Sequence, residues 1–182
     1  MSIAVIAAAL AGCSRSVSGH PAGPRQALSC PPGAVTVPAA PFCFPLPGGF
    51  TDVEHAPVSG WTYNTLVSIG QHDLVAVAAA SLGVDTDADD DAALAKRADS
   101  LRMRAGKLNT ASATAFSTLR VDGARAFSQT LKYVDGVGAR QVEIYRGRTV
   151  VQISCQYKAK QAVVDKGCTD VLNTIQVVGL PH

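Results

Sequence analysis

Seven residues in the middle of the chain, Asp85-Thr86-Asp87-Ala88-Asp89-Asp90-Asp91, carry five carboxylates, enough oxygen to hold a hard cation. Asp85, Asp87 and Asp89 stand at the first, third and fifth places of a calcium loop. The sixth place, which needs glycine for a sharp turn, is Asp90, and the twelfth, which needs a bidentate glutamate, is Lys96. The pattern fails where it is most diagnostic. An acidic loop leading into a helix N-terminus, where the dipole favours negative charge, is the expectation instead. Ser68, His72 and Asp73 hold the residue types of an acyl-transfer triad. Neighbours this close in sequence, at a strand turn, do not set triad geometry, and His72 reads as a solvated turn residue. The chain has no G-x-S-x-G, S-x-x-K or H-E-x-x-H, and no glycine loop with phosphate-binding spacing. With no nucleophile, base or metal motif, no catalytic residue is assigned and the chain is expected not to be an enzyme.

The thiols carry more information. Cys13 ends an apolar run, IAVIAAALAG, from Ile3 to Gly12. That run has the length of a signal-peptide core and is too short to span a bilayer. Leu10-Ala11-Gly12-Cys13 matches the bacterial lipobox, in which the Cys thiol accepts diacylglycerol and cleavage leaves it as the first mature residue. Residues 1–12 are therefore expected to be a lipoprotein signal peptide and Cys13 the lipidation site, with several acyl chains, palmitate among them, anchoring stably where one would bind only marginally. Nothing between Met1 and Ile3 is basic, which departs from the usual signal peptide and fits a start codon upstream of Met1. The stretch 14–41 contains six of the ten prolines and reads, with Cys13, as a tether over residues 13–41. The expected place is the cell membrane, lipid-anchored, facing the extracytoplasmic side.

Four cysteines remain, Cys30, Cys43, Cys155 and Cys168. An even number in an exported chain points to two disulfides, and sequence permits three pairings. Cys30 with Cys43 and Cys155 with Cys168 are favoured because each closes a local loop. A metal site is not expected: no C-x-x-C occurs, and His20, His55, His72 and His182 form no H-x₃₋₅-H pair. A net charge of +2 gives no reason to expect nucleic acid.

The elements that must hold these residues can be read from periodicity. PFCFPLPGGF reads as a short entry strand. Ser59 to Ile69 alternates, with Trp61, Tyr63, Val67 and Ile69 on one face, and LVAVAAASLG is apolar on both faces, as a central strand would be. In the stretch 85–108, Leu94, Ala98, Leu101, Ala105 and Leu108 recur at helical spacing. ATAFSTLRV, RAFSQTLKYV, ARQVEIY and TVVQISCQY then alternate around Asp122-Gly123, Asp135-Gly136 and Arg146-Gly147, a hairpin-linked meander. Val164, Cys168, Val171 and Ile175 form the stripe of a closing helix, in which Gly167 is a weak point. Strands followed by helices that pack on them make an α+β sandwich. Arg97, Arg102, Arg104 and Lys107 read as a solvated helix face that could meet anionic headgroups. Trp61 and Tyr63 could line a ligand cleft but suit the core better.

This layout carries a resemblance. FPLPGGF (Phe44 to Phe50), VDGARAFSQTL with its G-x-R-A hairpin (Gly123 to Ala126), ARQVEIYRGRTVVQISC and CTDVLNTIQV resemble the PsbP-like domain, and in particular that domain in actinobacterial lipoproteins of the LpqN type. The resemblance covers Phe42 to Val178, within a domain taken as residues 42–182. It implies an α-β-α sandwich around an antiparallel sheet, no shared catalytic residues, and a role as adaptor or assembly factor for an envelope protein. The alternative is a lipid or small-molecule carrier, in which the Ala-rich strand Leu74 to Leu82 floors a cavity between sheet and helix.

Overall fold

The computed structural model describes residues 28–53, 57–106 and 110–180, with the side chains of 102–111 outside that description. In chain order the elements are β1 (Ala34–Thr36), β2 (Phe42–Pro45), β3 (Thr51–Asp52), β4 (Tyr63–Ser68), β5 (Leu74–Ser81), α1 (Asp91–Gly106), β6 (Thr110–Ala113), β7 (Ser117–Val121), β8 (Ala124–Tyr133), β9 (Gly138–Arg146), β10 (Thr149–Tyr157), α2 (Gln161–Thr174) and β11 (Gln176–Val177). An eight-stranded antiparallel sheet runs β3-β4-β5-β10-β9-β8-β6, with β7 also paired to β8. A second, three-stranded sheet is ordered β1-β2-β11. β1 lies inside the stretch read as tether, so regular structure begins before Phe42.

Period-two alternation decides which face each strand residue serves. Val75, Val77 and Ala79 of β5 and Val151, Ile153 and Cys155 of β10 point to one side, where they pack with Val164, Cys168 and Val171 of α2 and with Phe42 and Phe44 of β2. Tyr145, Val150 and Phe127 point to the other, beneath Leu94 and Ala98 of α1. A helix on each face of an antiparallel sheet is the expected α-β-α sandwich. The two expected disulfides are formed: Cys30 is bonded to Cys43, and Cys155 to Cys168, with Cα separations of 6.0 and 5.8 Å. The second joins the central strand β10 to α2.

The meander forms as its turn residues dictate. Asp122 and Gly123 both adopt positive φ, 48° and 75°, the two-residue turn whose twist matches that of the β7–β8 pair. Where ATAFSTLRV reads as one strand, two are formed. The break at Thr114 lets its backbone and hydroxyl bond across to Thr130 and Gln129, and it frees Phe116 to meet Phe127 edge-on at 6.4 Å. Asp85 to Asp90 stay outside α1, because Thr86 and Asp87 are bonded to Gly147 in the β9–β10 turn. Asp90 then caps the helix, its Oδ1 accepting from the Ala93 N–H at 2.8 Å. Trp61 precedes β4 and packs on the α1 side, whereas Tyr63 packs on the α2 side, so the two aromatics do not share a face. Gly167 does not divide α2, which is continuous through it.

Candidate functional site

Cys13, His20, His55 and His182 lie outside the described residues, as do the side chains of Arg102, Arg104, Ala105, Lys107 and Leu108. Of Arg97, Arg102, Arg104 and Lys107, only the side chain of Arg97 is described, and it is ion-paired to Asp89 at 2.7 Å rather than free to meet headgroups. The acidic loop is dispersed. Asp85 Oδ1 accepts from the Asp87 N–H, Asp87 Oδ1 from the Gly147 N–H, and Asp89 Oδ2 from Arg97 Nε. Arg125, the arginine of the G-x-R-A hairpin, donates to the carbonyls of Thr86, Asp87 and Asp89, pinning the loop by its backbone. A guanidinium presents its donors in a fixed fork, which suits a cluster of carbonyls better than an ammonium would.

The Ser68, His72 and Asp73 group also has a structural occupation. Asp73 Oδ1 accepts from the backbone N–H groups of Lys158, Ala159 and Lys160 at 3.0, 3.1 and 2.8 Å, while His72 stays exposed. α2 has no side-chain cap of its own, so Asp73 fixes the segment that leads into it. Hydrogen bonds from Lys160 and then Lys158 hold its carboxyl below the usual 3.8, against the opposing cost of desolvation. The folded state therefore favours the ionised form. Its stabilisation is fully present above the unfolded value and is lost as pH falls through the lowered one. Asp73→Asn is expected to be less stable than the parent at pH 7 and to show a flatter loss of stability below about pH 4. Urea unfolding from pH 7 down to pH 2 checks this; parallel acid limbs would show that another carboxylate sets the slope.

The unforeseen cluster is on the α1 side of the sheet. Register places Gln129, Gln141 and Ser154 side by side on β8, β9 and β10, with Ala76 of β5 and Leu66 of β4 continuing the row. The next row holds Phe127, Glu143, Gln152 and Ala78. Gln129, Gln141, Glu143, Gln152 and Ser154 are all buried, with exposures of 5, 6, 1, 8 and 8%. Gln152 Nε2 donates to Glu143 Oε1 at 3.2 Å, and Gln129 Nε2 to the Thr114 carbonyl at 2.8 Å. Gln129 Oε1, Gln141 Oε1, Ser154 Oγ and the Tyr145 hydroxyl have no hydrogen-bond partner among the described residues. Each such atom costs about 1–3 kcal/mol if it stays unmet. Burial, and then the Glu143 charge, push the Tyr145 hydroxyl well above its usual range, with Arg97 opposing, so it stays protonated at neutral pH.

The sequence signal for this cluster was present but pointed elsewhere. Gln141-x-Glu143-x-Tyr145 and Gln152-x-Ser154-x-Gln156 alternate like a solvated sheet face. The sandwich turns that face inward. Elsewhere on the same flank, a groove of about 390 Å³ runs along α1, lined by Leu82, Ala93, Lys96, Arg97, Ser100 and Leu101. On the other flank Gly49, Thr51, Ser68, Ile69, Lys160 and Val163 line an open groove of about 590 Å³, with Val163 46% exposed at its rim. No group of three or more His, Cys, Asp or Glu that could hold a metal occurs among the described residues.

No family model and no curated protein sequence matches the chain. Among solved structures it is similar to cyanobacterial PsbP (CyanoP) from Synechocystis sp. PCC 6803, with a TM-score of 0.55 and 12% identity over 79% of this chain and 91% of that one. A protein from Bacteroides thetaiotaomicron VPI-5482 also matches, at a TM-score of 0.48 and 12% identity, over 80% of this chain and 48% of that one. Two helices on opposite faces of one antiparallel sheet, superposable along most of CyanoP, make the fold of this chain PsbP-like.

Proposed function

We propose that the chain is a lipid-anchored binding domain on the extracytoplasmic face of the cell membrane, acting without catalysis as an adaptor or assembly factor for an envelope protein. The observation that carries this reading is the pair of disulfides behind a lipobox. Structural disulfides persist in oxidising compartments, and here one bond closes the entry to the fold while the other fixes its last helix. Both suit a domain that works outside the cytoplasm, held near the membrane by acyl chains on Cys13. The PsbP-like fold accords with an accessory role, and the lipobox with the FPLPGGF and G-x-R-A stretches favours the finer likeness to LpqN-type lipoproteins. The open groove beside α2, with Val163 at its rim, is the surface on which a protein partner would be sought first.

Membrane fractionation tests the anchor. The parent chain is expected in the membrane pellet with a mass increased by its acyl chains, and Cys13→Ser in the soluble fraction without them. A parent chain that is soluble and unacylated would overturn the reading. Cross-linking in cells, followed by mass spectrometry, is expected to join residues around Val163 to one polypeptide reproducibly.

A second reading, a carrier of a small molecule, is favoured by one observation. The Ala-rich β5 borders a buried polar floor with unmet hydrogen-bonding capacity, where an adaptor needs only an outer surface. Native mass spectrometry separates the two, since a carrier purified gently retains an adduct of constant mass.

A further inference from the structure

We propose that the row Gln129–Gln141–Ser154 on the α1 side of the sheet is a binding site for the primary ammonium group of an alkylammonium compound. Two amide oxygens and a hydroxyl lie in one cross-strand row, all buried, and none has a partner among the described residues. Native interiors leave only a few such atoms unmet per 100 residues, and three together on adjacent strands mark a place where a ligand completes the hydrogen bonding.

The chemistry of the ligand follows from what is unmet. Gln129 donates its amide N–H to the Thr114 carbonyl, which fixes its oxygen as the free end. The row therefore offers acceptors, two amide oxygens and the Ser154 oxygen, to match three donors. A primary ammonium carries three donors and no acceptor. A sugar or other polyol would bring its own acceptors to a row in which the Ser154 hydroxyl is the one unmet donor among the buried atoms. A quaternary ammonium would bring no donor at all. The carboxyl group of Glu143, next to Gln141 along β9, adds an acidic group to the neighbourhood whatever else it touches.

The row also has a direction. Beyond Ser154 the side chains shrink to Ala76 and then reach Leu66, and Ala78 stands in the adjoining row; all three are half-buried rather than closed off. The ammonium head would sit at the Gln129 and Gln141 end, with its alkyl stem over the alanines toward the β4 side. Both a free alkylamine and an ethanolamine headgroup present this chemistry. The site is independent of the adaptor reading, because it needs neither the lipid on Cys13 nor a protein partner.

The test is a titration of the full chain carrying Cys13→Ser, followed by two-dimensional NMR of the Gln129 and Gln141 side-chain amides. The probes are n-butylammonium chloride, n-butanol, tetramethylammonium chloride and sodium chloride. The expected result is a saturable shift of both amides with n-butylammonium and none with the other three. Gln141→Leu is expected to weaken the response at least tenfold; should that variant fold poorly, Ser154→Ala serves with the same readout. Dihexanoyl phosphatidylethanolamine against its phosphatidylcholine counterpart separates the sources: a response to the former much stronger than to n-butylammonium points to a lipid headgroup, and an equal one to a free amine. No saturable shift with n-butylammonium, as when ordered water fills the row, overturns the proposal. So does an equal response to n-butanol or tetramethylammonium, or a response unchanged in both variants.

Discussion

Replacing Cys155 and Cys168 together by alanine is expected to lower the free energy of unfolding by about 3 kcal/mol, the loop-entropy value for a closed segment of this size. Both bonds span the same sequence separation of 13, so loop entropy predicts the same loss for Cys30→Ala with Cys43→Ala. Their surroundings differ. Cys155 and Cys168 have no solvent exposure and lie in the core between β10 and α2, whereas Cys30 is exposed. A reductant reaches a sulfur only when it is accessible. In the folded Cys13→Ser chain, dithiothreitol is therefore expected to open Cys30–Cys43 alone through the exposed Cys30, and alkylation should add one label there, since Cys43 is 1% exposed, rising to four in denaturant. Urea unfolding of the two double variants measures the energies, and intact mass measures the labels. Four labels under native conditions would mean that the contact between β10 and α2 opens far more readily than its burial implies.

How far the sequence could be read depended on whether a residue answers to its neighbours or to distant chain. The apolar stripe of α2 and the Asp122-Gly123 turn are local, and they stand where periodicity and turn chemistry put them. The start of α1 is not local. The aspartates' weak helix propensity marks a loop, but its path is set by Gly147 and Arg125, which come later in the chain, bond to Thr86, Asp87 and Asp89 and hold the loop against the β9–β10 turn. Trp61 departs from the face that alternation predicts because it precedes β4, where strand parity does not apply. The polar row was hidden by a sign error inherent in the pattern. Alternating Gln, Glu and Ser look the same facing water or facing a second layer, and only the sandwich topology decides between them.

Gly167 shows the same dependence on distant chain, with a measurable consequence. In a helix interior glycine costs about 1 kcal/mol relative to alanine, so helix propensity predicts that Gly167→Ala stabilises the protein. The structure predicts the opposite. A Cβ at Gly167 would lie 2.6 and 2.7 Å from Cε2 and Cζ of Phe50, a ring that is itself 5% exposed and packed in the α2-side core. A buried ring cannot swing aside without displacing its neighbours, and overpacking of this kind costs typically about 1–3 kcal/mol. Gly167→Ala is expected to reduce stability by about 2 kcal/mol, read by urea unfolding. Phe50→Ala should cost about 3–5 kcal/mol through the cavity it leaves. In the Phe50→Ala background, however, the added methyl meets empty space, and Gly167→Ala should then stabilise by about 1 kcal/mol. The two substitutions are thus expected to couple by about 3 kcal/mol, the upper end for residues in contact. Additivity would mean that Phe50 does not press on α2. The entry segment of the fold would then be held to the closing helix by the short β1-β2-β11 sheet rather than by this ring.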